Sequence, residues 1–134
     1  MINYLKLFLV TLAAFFAIDM LWLGLIARSF YRKHLGFLMA PTTNWTAAII
    51  FYLLFILGIL VFVVVPGLQQ EQSLQTVLIR AALYGLITYA TYDLTNLATL
   101  RDWPVLVSVV DIGWGTLLCT LVSGAAYLIG ARLG

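Results

Sequence analysis

The sequence predicts an all-α, polytopic membrane protein in which four transmembrane helices form an antiparallel bundle, with a short interfacial segment between helices 1 and 2. Two observations predict this class. Of the 134 residues, 64% are hydrophobic and 9% are charged, far from the roughly half-apolar, quarter-charged balance of a soluble domain. The apolar residues also fall into four runs of about 20 residues, the length that a helix needs to cross a ~30 Å hydrocarbon core. We therefore expect residues 1–134 to form a single integral-membrane domain.

The four predicted helices follow one another with short connections. Helix 1 covers residues 4–27, longer than the apolar core of a signal peptide, so we expect it to be retained in the mature protein. Helix 2 covers 45–65, helix 3 covers 76–98 and helix 4 covers 105–129. Because the connection between helices 3 and 4 is very short, these two helices must be antiparallel neighbours.

Residues 28–44 form the one long connection. They interleave basic and aromatic side chains, a pattern suited to a short helix in the membrane interface. We call the end of the bundle that bears this segment the loop end. Trp45 and Trp103 lie near predicted helix ends, which is typical of the aromatic belt at a membrane surface.

Pairs of small residues four positions apart indicate where helices approach each other closely. Such pairs occur in helices 1, 3 and 4: Ala13 and Ala17, Ala81 and Gly85, and Ala126 and Gly130.

Three aspartates lie inside these apolar helices. A carboxylate at membrane depth costs at least a few kcal/mol unless it is neutralised, paired or hydrated, so an intramembrane acid is a functional-site hypothesis by default. Helices 1 and 3 run towards the loop end and helix 4 runs away from it. At 1.5 Å per residue, Asp19 lies roughly 12 Å, and Asp93 and Asp111 roughly 10 Å, from that end. The sequence therefore predicts one acidic layer shared by three helices.

The neighbours of these acids extend the predicted site. The spacing Asp-x-x-Trp occurs twice and places each indole on the same helix face as an acid. In helix 3, polar side chains recur along one stripe that should face the bundle rather than lipid. The predicted pocket comprises Asp19, Trp22, Tyr89, Tyr92, Asp93, Asn96, Asp111 and Trp114.

The two tryptophans should differ in depth. Because helices 1 and 4 are antiparallel, Trp22 should lie nearer the loop end and Trp114 deeper. The pair would then line the pocket at two levels.

The chain carries no familiar catalytic or cofactor motif, and neither a Walker loop nor a Cys-x-x-Cys pair occurs. Three carboxylates and Asn96 could offer oxygen ligands to magnesium or calcium, but zinc is disfavoured without nearby His or Cys. We expect no cofactor and no resident metal.

The run of residues 92–100, together with Asp19-x-x-Trp22 and Asp111-x-x-Trp114, resembles a family of small bacterial membrane proteins described only as a domain of unknown function. The resemblance spans the whole chain. It implies a four-helix, multi-pass protein of the bacterial inner membrane, and it implies no activity.

Three function classes fit the sequence. The first is a protein that binds or transports a small amphipathic or cationic ligand in the polar pocket. The second is a membrane-embedded enzyme that acts on a lipid or isoprenoid, with one aspartate as general acid and another as base. The third is an accessory or assembly subunit in which the acids only clamp helices together.

The partners expected from the sequence are membrane lipids, a lipid-like or cationic small molecule and, by fold-level analogy with small exporters, a second copy of the chain in a homodimer. The net charge of +2 arises from scattered basic residues, so we expect no nucleic-acid partner.

Overall fold

The computed structural model describes residues 2–133, and within them it contains helices and turns but no strand. The helices, numbered along the chain, are α1 (Tyr4–Leu21), α2 (Arg28–Leu35), α3 (Trp45–Ile59), α4 (Val65–Gln69), α5 (Leu74–Thr99) and α6 (Val105–Leu133). A π-helical turn, Trp22–Ile26, extends α1, and a second one, Leu60–Val64, joins α3 to α4. The predicted interfacial segment is helical in α2 and in the 3₁₀ turn Gly36–Leu38, and the helix ends before Pro41.

Among the described residues, three continuous helical stretches are long and apolar enough to cross a membrane: Tyr4–Ile26, Trp45–Gln69 and Val105–Leu133. They match predicted helices 1, 2 and 4. Helix α5 has 26 residues and matches predicted helix 3, but it is not among these candidates. The charges of Arg80 and Asp93 and several Thr and Tyr residues make α5 less apolar than the others.

Side-chain caps explain where three of the helices begin. Asn3 accepts a hydrogen bond from the Lys6 backbone N–H, and Asn44 accepts one from Ala47. The Ser73 hydroxyl accepts the corresponding bond at the start of α5. Each cap satisfies a backbone donor that the helix itself leaves unpaired.

Helices α5 and α6 pack against each other as antiparallel neighbours, as their short connection predicts. Gly85 allows the closest approach, because a Cβ at this position would overlap the backbone of Gly115. Ala81, Gly85 and Ala126 are buried, which fits the prediction for small residues in these two helices. The prediction for helix 1 is wrong, since Ala13 and Ala17 are exposed.

In α1 the buried face is a stripe at four-residue spacing: Leu7, Thr11, Phe15 and Asp19. This stripe, rather than the small pair, turns towards α6 because it carries the larger apolar side chains.

The apolar core lies towards the end of the bundle opposite the loop end. We call this the terminal end, because α4 and the outer ends of α1 and α6 meet there. Tyr4 and Gln69 are joined by a side-chain hydrogen bond, and Gly130 lies against Leu7 and Leu68. Buried core residues of this half include Leu7, Val63, Val64, Val77, Val122 and Ala126.

Candidate functional site

A cavity of about 530 Å³ lies in the half of the bundle nearer the loop end. This volume falls within the range of pockets that bind small organic ligands. Side chains from α1, α2, α3, α5 and α6 line it, most of them aromatic. The lining residues are Phe15, Asp19, Trp22, Leu23, Tyr31, Phe51, Tyr52, Phe55, Thr88, Tyr89, Tyr92, Asp111 and Trp114.

Asp19 forms one acidic group of the cavity wall. Its side chain is 5% exposed, and one carboxyl oxygen accepts a hydrogen bond of 3.3 Å from the indole N–H of Trp114. The hydroxyl of Tyr52 lies near the same carboxyl group. Asp19 is therefore held by donors from α6 and α3.

Asp111 forms the second acidic group and is held from α2. The Tyr31 hydroxyl donates a hydrogen bond of 2.8 Å to the Asp111 carboxyl oxygen, and it accepts one of 3.2 Å from the indole N–H of Trp22. Burial, and after it the charge of Asp111, raises the pKa of the Tyr31 hydroxyl above its ordinary value. The hydroxyl therefore stays protonated at neutral pH and can act as the donor to the carboxylate.

The two Asp-x-x-Trp pairs are thus connected crosswise. The tryptophan of α6 bonds to the acid of α1, and the tryptophan next to α1 reaches the acid of α6 through Tyr31. The indole rings of Trp22 and Trp114 stack face to face, with centroids 4.5 Å apart and an interplanar angle of 8°. The expectation that these tryptophans line the pocket at two separate levels is therefore wrong.

A local change in helix geometry begins at Trp22. The backbone N–H of Ala27 bonds to the carbonyl of Trp22, five residues earlier, at 2.7 Å. Such π-turns widen a helix locally and occur often at functional sites.

Two residues of the predicted pocket lie outside the cavity wall. Asp93 is 0% exposed and lies beside Asp111, packed between α5 and α6. Neither of its carboxyl oxygens has a hydrogen-bond partner in the described part of the chain. Asn96 is half-buried and also does not line the cavity. The spacing that places both residues on the Tyr89 stripe predicts their face, but not how far the cavity extends along it.

Tyr89 and Tyr92 both line the cavity. The ring of Tyr89 occupies the space beside Gly115, where a Cβ would overlap it. Gly115 therefore lets an aromatic ring of α5 reach the surface of α6.

Trp103 differs from the interfacial role predicted for it. It is 8% exposed, and its indole donates a 3.0 Å hydrogen bond to Ser108, whose hydroxyl donates in turn to the Asp93 backbone carbonyl. Trp45 is 67% exposed, as expected of an aromatic belt. The difference arises because Trp103 lies in the turn between two packed helices.

Sequence reasoning missed Tyr31 and Tyr52, which hold the two acids, and the aromatic wall formed by Phe15, Phe51 and Phe55. An aromatic residue in an apolar helix or an interfacial segment carries no distinguishing signal by itself. The stripe of Trp45, Ala48 and Tyr52 on helix 2 is the one sequence feature that points to any of them.

The chemistry of the cavity is that of an acidic, aromatic site. The groups that act on Asp19 are Trp114, Asp111 and Tyr52, and none of them is basic. Within residues 2–133, no three His, Cys, Asp or Glu side chains are placed to hold a metal ion together. The cavity walls offer hydrogen-bond acceptors, π faces and negative charge.

Three apolar helices of membrane-spanning length and a polar cavity between them define an integral membrane protein. A family model described as "Predicted membrane protein (DUF2177)" matches residues 4–128. The chain belongs to this family, which has no known function and which fits the resemblance drawn from residues 92–100 and the two Asp-x-x-Trp pairs. No curated protein and no solved structure matches the chain.

Proposed function

We propose that this protein binds a small amphipathic organic cation in the cavity between α1, α3, α5 and α6 and carries it across the bacterial inner membrane. The observation that carries the proposal is the meeting of Asp19 and Asp111 with aromatic side chains in one cavity of about 530 Å³.

Charge supports a cationic ligand. Two acids share the cavity wall, and no lysine, arginine or histidine is among the residues that line it. A bound cation would supply the missing positive charge, and electrostatic complementarity of this kind gives specificity.

The aromatic walls support an organic rather than an inorganic cation. Tyr52, Tyr89 and Trp114 place π faces around the acids. Cations attract to such faces by about 0.5–2 kcal/mol each, and aromatic cages are the common receptors for quaternary ammonium groups. The remaining apolar wall would accommodate the hydrocarbon part of an amphiphile.

The proposal includes a multi-pass arrangement in which α5 is the fourth membrane-crossing helix. Its 26 residues would extend about 39 Å, enough to cross a bilayer. Its polar residues Gly85, Tyr89 and Asp93 turn towards α6, which would shield them from lipid.

Transport would use the acids as proton sites. A carboxyl group that releases its proton when a cation binds, and regains it when the cation leaves, couples the two movements in opposite directions. Asp19 and Asp111 are the residues placed to do this.

Binding can be tested with tetraphenylphosphonium and tetraphenylborate, which have the same shape and opposite charge. Titration of the detergent-purified protein, followed by tryptophan fluorescence, should show binding of the cation only. Asp19→Asn and Asp111→Asn should each weaken it at least about tenfold, equivalent to ~1.4 kcal/mol.

Asp102→Asn is the matched control. Asp102 is exposed and lies outside the cavity, so this variant makes the same chemical change without altering cation affinity. Equal affinity for the two probe ions, or equal losses in all three variants, would contradict the proposal.

Transport can be tested in proteoliposomes with an acidic interior. Uptake of the cation should be accompanied by proton exit and should be lost with Asp111→Asn. If the variants instead change the lipid composition of a host membrane, the enzymatic alternative is favoured. If they only unfold the protein, the acids act as structural clamps, as in an accessory subunit.

A further inference from the structure

A second concavity lies on the outside of the bundle, between α5 and the π-turn Leu60–Val64. It is a groove of about 380 Å³, separate from the proposed cation cavity except that Thr88 borders both. Arg80 is the one charged side chain among the residues that line it.

The walls of the groove are apolar and face outwards. Phe62 is 67% exposed and Ile87 is 61% exposed, and Leu83 lies between Ile87 and Arg80 along α5. In a membrane protein, exposed side chains at these positions meet acyl chains rather than water.

The groove is a shaped feature of the backbone. The backbone N–H of Val65 bonds to the carbonyl of Leu60, five residues earlier, and this wider turn carries Phe62 on one wall. On the opposite wall, Gly58 leaves room for Tyr84, whose hydroxyl would otherwise meet a Cβ there. Tyr84 is then fixed by a 3.3 Å hydrogen bond to the Phe55 carbonyl.

Arg80 lies six residues after Leu74, the first residue of α5, or about 9 Å along the helix axis. An arginine at this depth is costly unless an anion compensates its charge, and the described residues that line the groove include no acid. A planar guanidinium pairs well with phosphate oxygens through two parallel hydrogen bonds.

We propose that this groove binds one anionic phospholipid, with the phosphate of its headgroup on Arg80 and an acyl chain along Phe62, Leu83 and Ile87. The charge selects the anionic headgroup, and the apolar wall selects a lipid over a free anion.

The test is native mass spectrometry of the protein released from detergent with added phosphatidylglycerol or phosphatidylcholine of matched chains. The wild type should retain one phosphatidylglycerol at least tenfold more strongly than phosphatidylcholine. Arg80→Gln should remove this preference, and Arg80→Lys should restore part of it. Glycerol phosphate, which has the charge but no chains, should not compete.

Lys6→Gln is the matched control, because Lys6 is an exposed cation at the same end of the bundle and does not line the groove. It should leave lipid retention unchanged. Leu83→Trp, which narrows the groove and keeps Arg80, should reduce retention of phosphatidylglycerol. Equal retention by wild type and Arg80→Gln, an equal loss with Lys6→Gln, or competition by glycerol phosphate would overturn the proposal.

Discussion

The two halves of the bundle are built in opposite ways. Towards the terminal end, Val63, Val77 and Val122 are almost fully buried and form a dry apolar core. Towards the loop end, the same helices separate around a cavity whose acids are held by single hydrogen bonds from Trp114 and Tyr31. Functional regions are commonly drawn from the less stable parts of a protein. The comparison indicates that folding stability and ligand binding reside in different halves of one bundle.

The largest expected effect tests the packed region where α5 meets α6. Gly85→Leu places a side chain against the backbone of Gly115, which cannot move as a flexible side chain could. We expect a loss of about 3 kcal/mol in the free energy of unfolding, from overpacking, measured by thermal unfolding in detergent.

Gly113→Leu is the control for this change, because no atom lies within 4 Å of a Cβ at Gly113. It should unfold at or above the wild-type temperature. If both leucine variants unfolded at the same temperature, the tight α5–α6 contact would not be a main source of stability.

An intermediate effect is expected at the loop end. Tyr31→Phe removes the hydroxyl that joins Trp22 to Asp111, which should cost about 1 kcal/mol at neutral pH. Because the pKa of Tyr31 is raised in the folded protein, its stabilising contribution is complete below the unfolded-state pKa of about 10. That contribution is lost as the pH rises through the higher folded-state pKa.

Unfolding of the wild type and Tyr31→Phe should therefore be compared from pH 7 to pH 11. The gap in unfolding temperature should be constant up to about pH 10 and narrow above it. A gap that widens with alkaline pH would show that the phenol is not stabilised in its protonated form.

The smallest effects compare two buried polar groups without a partner among the described residues, Asp93 and Ser123. Ser123 lies among the apolar side chains of α6, so Ser123→Ala should keep or raise stability by up to about 1 kcal/mol and leave cation affinity unchanged. Asp93 lies beside Asp111, so Asp93→Asn should lower cation affinity a few-fold, under about 1 kcal/mol. Measuring affinity and stability on both variants separates the two halves, and an affinity loss with Ser123→Ala would show that they are coupled.

The helices and two of the acids could be predicted from the sequence, because both are properties of single segments. Apolar run length locates a helix, and an aspartate inside such a run is conspicuous by itself. The crosswise pairing of Asp19 with Trp114 could not be predicted, because spacing within a helix fixes a face and not the residue opposite. Tyr31 was missed for a related reason, since its partner Asp111 is 80 residues away along the chain.

Helix α5 marks another limit of sequence reasoning. Its Arg80 and Asp93 reduce its apolar character, yet each lies in a distinct setting, one on the outer groove and one packed against α6. Hydropathy sums over all faces of a helix, whereas the cost of a polar residue depends on what that one face meets.

The π-turn at Trp22–Ile26 makes the stacked indoles sensitive to chain length as well as to side-chain chemistry. A turn closed five residues apart holds one residue more than an α-helical turn closed four residues apart. Removing a single residue from this stretch would let the α-helix continue unbroken and would rotate everything before it by about 100° relative to everything after it. Asp19 would then turn away from Trp114 even though every side chain named in the cavity was still present. At this position the insertion or deletion of one residue is a larger change than most substitutions.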